Sequence, residues 1–251
     1  MLPEAIEILP PQFDALSFYG ILVIAVCVAI AWVYLFSLRR LSRGIYLGFL
    51  TGGVMLVSAI AARAGLLSSF EHFPPPMMVM IVSVFAVGLG FGFSPLGREG
   101  AARLSFASLI GLQVFRFPLE LVMHHAGSVE IMPVQLSFSG YNFDIVTGVT
   151  AMGIVFSIAS GRNASSAVVW AWNIWGSLCL IVIAVIAVTT SPMVRLFGDA
   201  PRDLNTWVLY FPYVWLPVVL VTVAVAGHVV VTRKLLMEGA AFQGDAAKRG
   251  I

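Results

Sequence analysis

Apolar residues in this chain fall in runs of roughly 20, separated by short clusters of polar residues, and the pattern repeats along almost the whole length. At 1.5 Å per residue such a run crosses a hydrocarbon layer of about 30 Å. Seven runs can be drawn: about Phe18 to Leu38, Ile45 to Ala62, Met77 to Pro95, Leu104 to His125, Asn142 to Ser160, Ser166 to Thr190 and Val208 to Thr232. The fourth is the least apolar. The pattern predicts an all-α, polytopic membrane helix bundle of seven transmembrane helices. An N-terminal extracytoplasmic arm (1–17) precedes the seven-helix domain (18–233), and a small, polar, frayed cytoplasmic tail (234–251) follows it.

Orientation follows from the basic residues. Arg39, Arg40, Arg43, Arg98, Arg103, Arg162, Arg233, Lys234, Lys248 and Arg249 fall on one side, and only Arg63, Arg195 and Arg202 on the other. Arg116 lies within a span. This bias predicts the N-terminus outside and the C-terminus in the cytoplasm, in a bacterial-type cytoplasmic (inner) membrane. The first residues carry Glu4, Glu7 and Asp14 and no basic residue, so no cleavable signal peptide is expected. Trp207, Tyr210 and Tyr213 open the seventh span and are expected as headgroup-level anchors, with the two tyrosines also candidate ligand contacts.

Composition agrees with a lipid solvent: 60% of the 251 residues are hydrophobic and 10% charged, against about 45–50% and about 25% in soluble domains. A net charge of +2, without a basic run interleaved with aromatics, excludes a nucleic-acid partner. Membrane lipid is the expected surrounding, and a lipid-like or small-molecule ligand and other membrane subunits are the candidate partners. Cys27 and Cys179 both sit in apolar runs and give neither a disulfide framework nor a zinc spacing. Seven spans suggest comparison with retinal pigments, but a Schiff base needs a lysine inside a span. Both lysines, Lys234 and Lys248, lie beyond the last one. No GxSxG, HExxH or CxxC motif occurs.

Two local patterns read as packing. Gly88 and Gly92 have the GxxxG spacing that lets helices approach closely, and Asn173 in "WAWNIW" reads as a hydrogen-bonding link between helices. Pro212 and Pro217 predict a kink in the last span, with carbonyls freed toward a cavity.

The unusual chemistry lies in "FRFPLELVMHH", residues 115–125. Arg116, Glu120 and His124 stand at i, i+4 and i+8, so they share one helix face. Counted from Leu104, Arg116 lies roughly 18 Å along the span and Glu120 roughly 24 Å, with His124 near the outer boundary. A charge in mid-bilayer costs about 2.5–3.5 kcal/mol on insertion scales, which makes such residues functional candidates. Arg116 and Glu120 can neutralise each other, and Pro118 between them disturbs the helix. The fifth span begins with Tyr141, Asn142 and Asp144 at the same level, with Asp144 also placed to complement the helix dipole. The intervening segment 128–141 could fold over the opening.

The expected site is therefore an outward-facing polar cavity. Glu120, His124 and Asp144 are its acid–base candidates, and Arg116, Tyr141, Asn142, Tyr210 and Tyr213 its ligand contacts. No metal is assigned, although a zinc set of His72, His124 and Asp144 is conceivable, and the cofactor, if any, is unknown. His228 falls near the inner end of the last span, too deep to be expected with the others. Three classes of function remain: a binding protein or enzyme for a membrane-soluble molecule, a proton-coupled transporter, and an accessory subunit of a larger complex.

Overall fold

A computed structural model describes residues 8–70, 73–162 and 164–248, with side chains described up to 239. The described chain is all-helical, with nine α-helices: α1 (Ala15–Ser37), α2 (Leu41–Arg63), α3 (Pro76–Phe93), α4 (Pro95–Arg103), α5 (Phe106–Gly111), α6 (Arg116–Ser128), α7 (Ile145–Ala159), α8 (Ser166–Thr189) and α9 (Thr222–Lys248). Six stretches are long and apolar enough to cross a membrane: α1, α2, α3, the α5–α6 unit (Phe106–Ser128), α8 and Leu216–Gly239. The chain is thus an integral, multi-pass membrane protein by length and composition of its helices.

The fifth predicted span differs from the other six. It appears as α7, only 15 residues long, or about 22 Å at helical rise. Its start is set locally: Asn142 Oδ1 accepts from the Asp144 backbone N–H at 3.0 Å, a side-chain turn that Asn favours. The seventh span begins at Leu216 and not at Val208. Its first turn, Leu216–Val221, is a π-helix around Pro217, a ring that cannot donate to the helical ladder. The expected frayed tail is instead helix, continuing through Lys248.

Burial ranks the helices. The last span is 67% buried and α2 only 11%, so the bundle is built around α9 with α2 at its edge. Helices α3, α4, α5 and α8 all pack on α9, while α1 packs on α2 and α6. Close approach of α3 to α9 depends on the predicted glycine pair. A Cβ on Gly88 would lie 2.8 Å from Val225 Cβ, and one on Gly92 2.5 Å from Val229 Cβ, so any larger residue there forces the helices apart. Where α3 ends, Arg233 of α9 donates to the carbonyls of Gly92 at 2.6 Å and Ser94 at 2.9 Å. These are among the acceptors a helix C-terminus leaves unsatisfied. At this same end Glu99 lies within salt-bridge reach of Arg40, Arg43 and Arg103.

At the other end Asp14 caps α1, accepting from the Ser17 backbone N–H at 2.8 Å and from its hydroxyl at 2.8 Å. It also meets His125 Nε2 of α6 at 3.0 Å. The Ser17 backbone bond, its hydroxyl and the nearby His125 hold the Asp14 carboxyl below its ordinary value of 3.8. A carboxylate favoured by the folded state contributes stability that is complete above the unfolded value and lost as pH falls through the lower folded one. Thermal unfolding of the detergent-solubilised protein should therefore steepen in its pH dependence below about pH 4, and Asp14→Asn should flatten that acid limb. An unchanged limb in the variant would show that the cap carries no folding linkage.

Candidate functional site

Helix α6 starts at Arg116 because Leu112–Phe115 is a 3-10 turn, and Pro118 falls in the first turn of the new helix, where its missing N–H costs nothing. From the first position of α6, the long Arg116 side chain reaches the two neighbouring helices. Its Nε donates to Asp144 Oδ2 at the foot of α7, 2.9 Å away. Its Nη1 donates to His228 Nε2 on α9 at 2.8 Å. The expected neutralisation by Glu120 is replaced by this cross-helix ion pair. Arg116 and Glu120 are each 1% exposed and Asp144 3%.

From this centre polar contacts run both ways. Glu120 Oε1 accepts from Asn142 Nδ2 at 2.7 Å, and the same amide donates to the Leu136 carbonyl at 2.9 Å. In the other direction the guanidinium, which can only donate, requires His228 Nε2 to be the acceptor nitrogen. The proton of a neutral ring then lies on Nδ1, which faces Asn173 Oδ1 at 2.8 Å. Asn173 Nδ2 donates to Thr232 Oγ1 at 2.8 Å, and that hydroxyl donates to the His228 carbonyl at 2.9 Å. Each donor along this line has a matching acceptor, which fixes the imidazole tautomer and its orientation. Trp172 closes one side, its ring centroid 5.2 Å from that of His228 and its Nε1 donating to the Thr147 carbonyl at 3.1 Å.

The backbones come this close because of three glycines. A Cβ on Gly148 would strike the Phe117 backbone nitrogen, one on Gly176 the His228 ring, and one on Gly227 the Gln113 amide. Around the centre, several buried polar atoms have no hydrogen-bond partner among the described residues: Arg116 Nη2, Glu120 Oε2, Asp144 Oδ1 and both amide atoms of Gln113. The Thr147 hydroxyl, close to Asp144, likewise has no hydrogen-bond partner of good geometry among the described residues.

Of the sequence-predicted residues, the fold gathers Arg116, Glu120, Asn142 and Asp144. It encloses them instead of opening them outward, under a segment whose Met132, Leu136 and Ser137 are buried. His124 is exposed; it bonds Ser139 Oγ at 2.7 Å and stacks on Phe138 at 4.4 Å. Tyr141 is also exposed, its nearest ring partner being Phe197. Tyr210 donates to the Ile8 carbonyl at 3.0 Å, and Tyr213 packs against Trp207 and Phe18. Neither reaches the centre, and Trp207 and Tyr213 are buried where headgroup anchors were expected.

His124 and Asp144 thus have separate partners, and His72 of the conceivable zinc set lies outside the described residues. Among the described residues no three His, Cys, Asp or Glu side chains gather as a metal site. His228 is the main correction, since it was set aside as too deep and is a direct partner of Arg116. Gln113 was missed as well. Its only sequence signal is its place three residues before Arg116, on the same side of the helix.

Comparison with family models, with curated proteins and with solved structures finds no match to this chain.

Proposed function

We propose that this chain crosses the membrane seven times, with its N-terminus outside and its C-terminus in the cytoplasm of a bacterial-type inner membrane. We infer that it binds a small or lipid-like molecule at the buried Arg116–Asp144–Glu120 centre, with acid–base exchange at the carboxylates. In this reading α7 completes the count as a short crossing. The arginine cluster around Glu99, together with Arg233 and Lys234, supports assigning that end to the cytoplasm.

The observation that carries the binding reading is the set of unpartnered polar atoms around one ion pair. A buried donor or acceptor left unmatched costs about 1–3 kcal/mol. Here donors (Arg116 Nη2, Gln113 Nε2) and acceptors (Glu120 Oε2, Gln113 Oε1) occur together, which suits a ligand carrying both a carbonyl or anionic oxygen and a hydroxyl. Access would come by movement of segment 129–144, which closes the outer side.

Native mass spectrometry of the protein released from mild detergent tests this. Wild type should retain a small bound mass that drops at least tenfold in occupancy in Gln113→Leu and in Glu120→Gln. Equal spectra for all three proteins would overturn the binding role.

One further observation favours a second reading, proton-coupled transport: the line of polar contacts continues inward through His228 and Asn173 to Thr232. Vesicles loaded with a pH dye distinguish the two readings, because only transport predicts a proton flux that Asn173→Leu abolishes.

A further inference from the structure

The turn between α1 and α2 contains two consecutive non-glycine residues in the left-handed region, Leu38 at φ 50° and Arg39 at φ 63°. L side chains adopt that conformation reluctantly, and it persists where the surrounding structure or a function requires it. Beside this turn α4 approaches the end of α1 so closely that a Cβ on Gly100 would lie 2.5 Å from the Phe36 ring. From α4, Glu99 stands 3.9 Å from Arg40, 2.8 Å from Arg43 and 3.3 Å from Arg103. Three guanidinium charges thus converge on one carboxylate, leaving an excess of two. Like charges this close repel, and among the described residues no second carboxylate pairs with any of the three. Arg40 and Arg103 are 56% and 55% exposed, so a ligand can reach them.

An apolar face continues from this cluster. Helix α2 begins directly after Arg40 and is the least buried of the six long spans. Leu41, Ile45 and Phe49 stand at i, i+4 and i+8, one outward stripe whose side chains are all exposed. Beyond them the stripe reaches Gly52, where an added Cβ would meet nothing within 4 Å. Half a hydrocarbon layer is about 15 Å, or about ten residues of helix. A chain of one leaflet laid along this stripe from Arg40 therefore ends near Gly52.

We propose that Arg40, Arg43 and Arg103 hold the two phosphodiesters of a doubly anionic diphosphatidyl glycerolipid, whose acyl chains lie along the exposed stripe of α2. Charge selects the head group. Two phosphodiesters match the excess of two, a single one leaves half of it uncompensated, and a zwitterionic lipid compensates none. Guanidinium suits each phosphodiester because its planar fork donates two N–H groups to phosphate oxygens at once. Basic pockets between membrane helices hold such head groups in general. The site shares no residue with the polar centre, and the proposal holds whichever end of the bundle faces the cytoplasm.

The test is native mass spectrometry of the full-length protein in mild detergent, titrated with diphosphatidylglycerol, phosphatidylglycerol, phosphatidylcholine or chain-free glycerol bisphosphate. Diphosphatidylglycerol should bind about tenfold better than phosphatidylcholine, with phosphatidylglycerol between them. Glycerol bisphosphate, which lacks the chains, should bind about tenfold more weakly than the whole lipid. Arg40→Gln and Arg103→Gln should each weaken binding about fivefold. Arg162→Gln, at an exposed arginine outside the cluster, should leave it unchanged. Glu99→Gln separates a lipid site from a mere helix staple, because removing the competing carboxylate should tighten lipid binding about fivefold. Should an arginine variant fail to fold, the lipid series on wild type and Glu99→Gln decides. Equal binding of phosphatidylcholine or of glycerol bisphosphate, an equal loss in Arg162→Gln, no gain in Glu99→Gln, or a dimer that excludes the lipid would overturn the proposal.

Discussion

Arg116→Met is expected to destabilise the protein by about 3–5 kcal/mol, because it leaves the Asp144 carboxylate buried without its counter-ion. His228 Nε2 loses its Arg116 donor in the same step. Two charges withdrawn from water are costly individually and tolerable as a pair, so the penalty lies in breaking the pair more than in lacking it. The double variant Arg116→Met/Asp144→Leu should therefore recover most of the loss. Thermal unfolding in mild detergent, arranged as a double-mutant cycle, measures the coupling. Additive losses in the two single variants would mean that the groups do not act as a closed pair.

Gly148→Ala is the second large effect expected. The new methyl would meet the backbone of α6 at Phe117, not the end of a movable side chain, so α7 must shift away from the helix that carries Arg116 and Glu120. Overpacking of this kind costs typically 1–3 kcal/mol, and the upper end is expected where backbone meets backbone. Gly153→Ala on the same helix is the control. Nothing lies within 4 Å of its added Cβ, so the better helix propensity of alanine, worth up to about 1 kcal/mol, should stabilise or leave stability unchanged. Similar losses in both variants would show that α7 responds to helix length or lipid fit and not to the close crossing at Gly148.

Runs of apolar residues sufficed to place six helices within a few residues of where they stand, because hydropathy alone decides whether a backbone can sit in lipid. The same signal over-read the seventh span. Trp207 to Tyr213 are as apolar as a helix requires, yet they fold as a buried irregular segment against α1, with Trp207 and Tyr213 in ring contact. The i, i+4 spacing of Arg116 and Glu120 marked the correct helix but named the wrong partner. The Arg116 side chain reaches past Glu120 to Asp144 of α7 and His228 of α9, and which acceptors stand within its reach depends on packing.

What the sequence determined by itself is the class of molecule and the segment of unusual chemistry: an all-helical, multi-pass membrane protein with two acids and an arginine where α6 and α7 meet. Those features rest on the local cost of exposing apolar or charged groups to the wrong solvent, which each residue carries with it. Only the tertiary structure decided that Arg116 pairs with Asp144 and that His228 and Asn173 join from 112 and 57 residues away (228 − 116 and 173 − 116). Hydrogen bonds form over about 3 Å. Which side chains come that close is set by where glycines such as Gly148, Gly176 and Gly227 let whole helices touch.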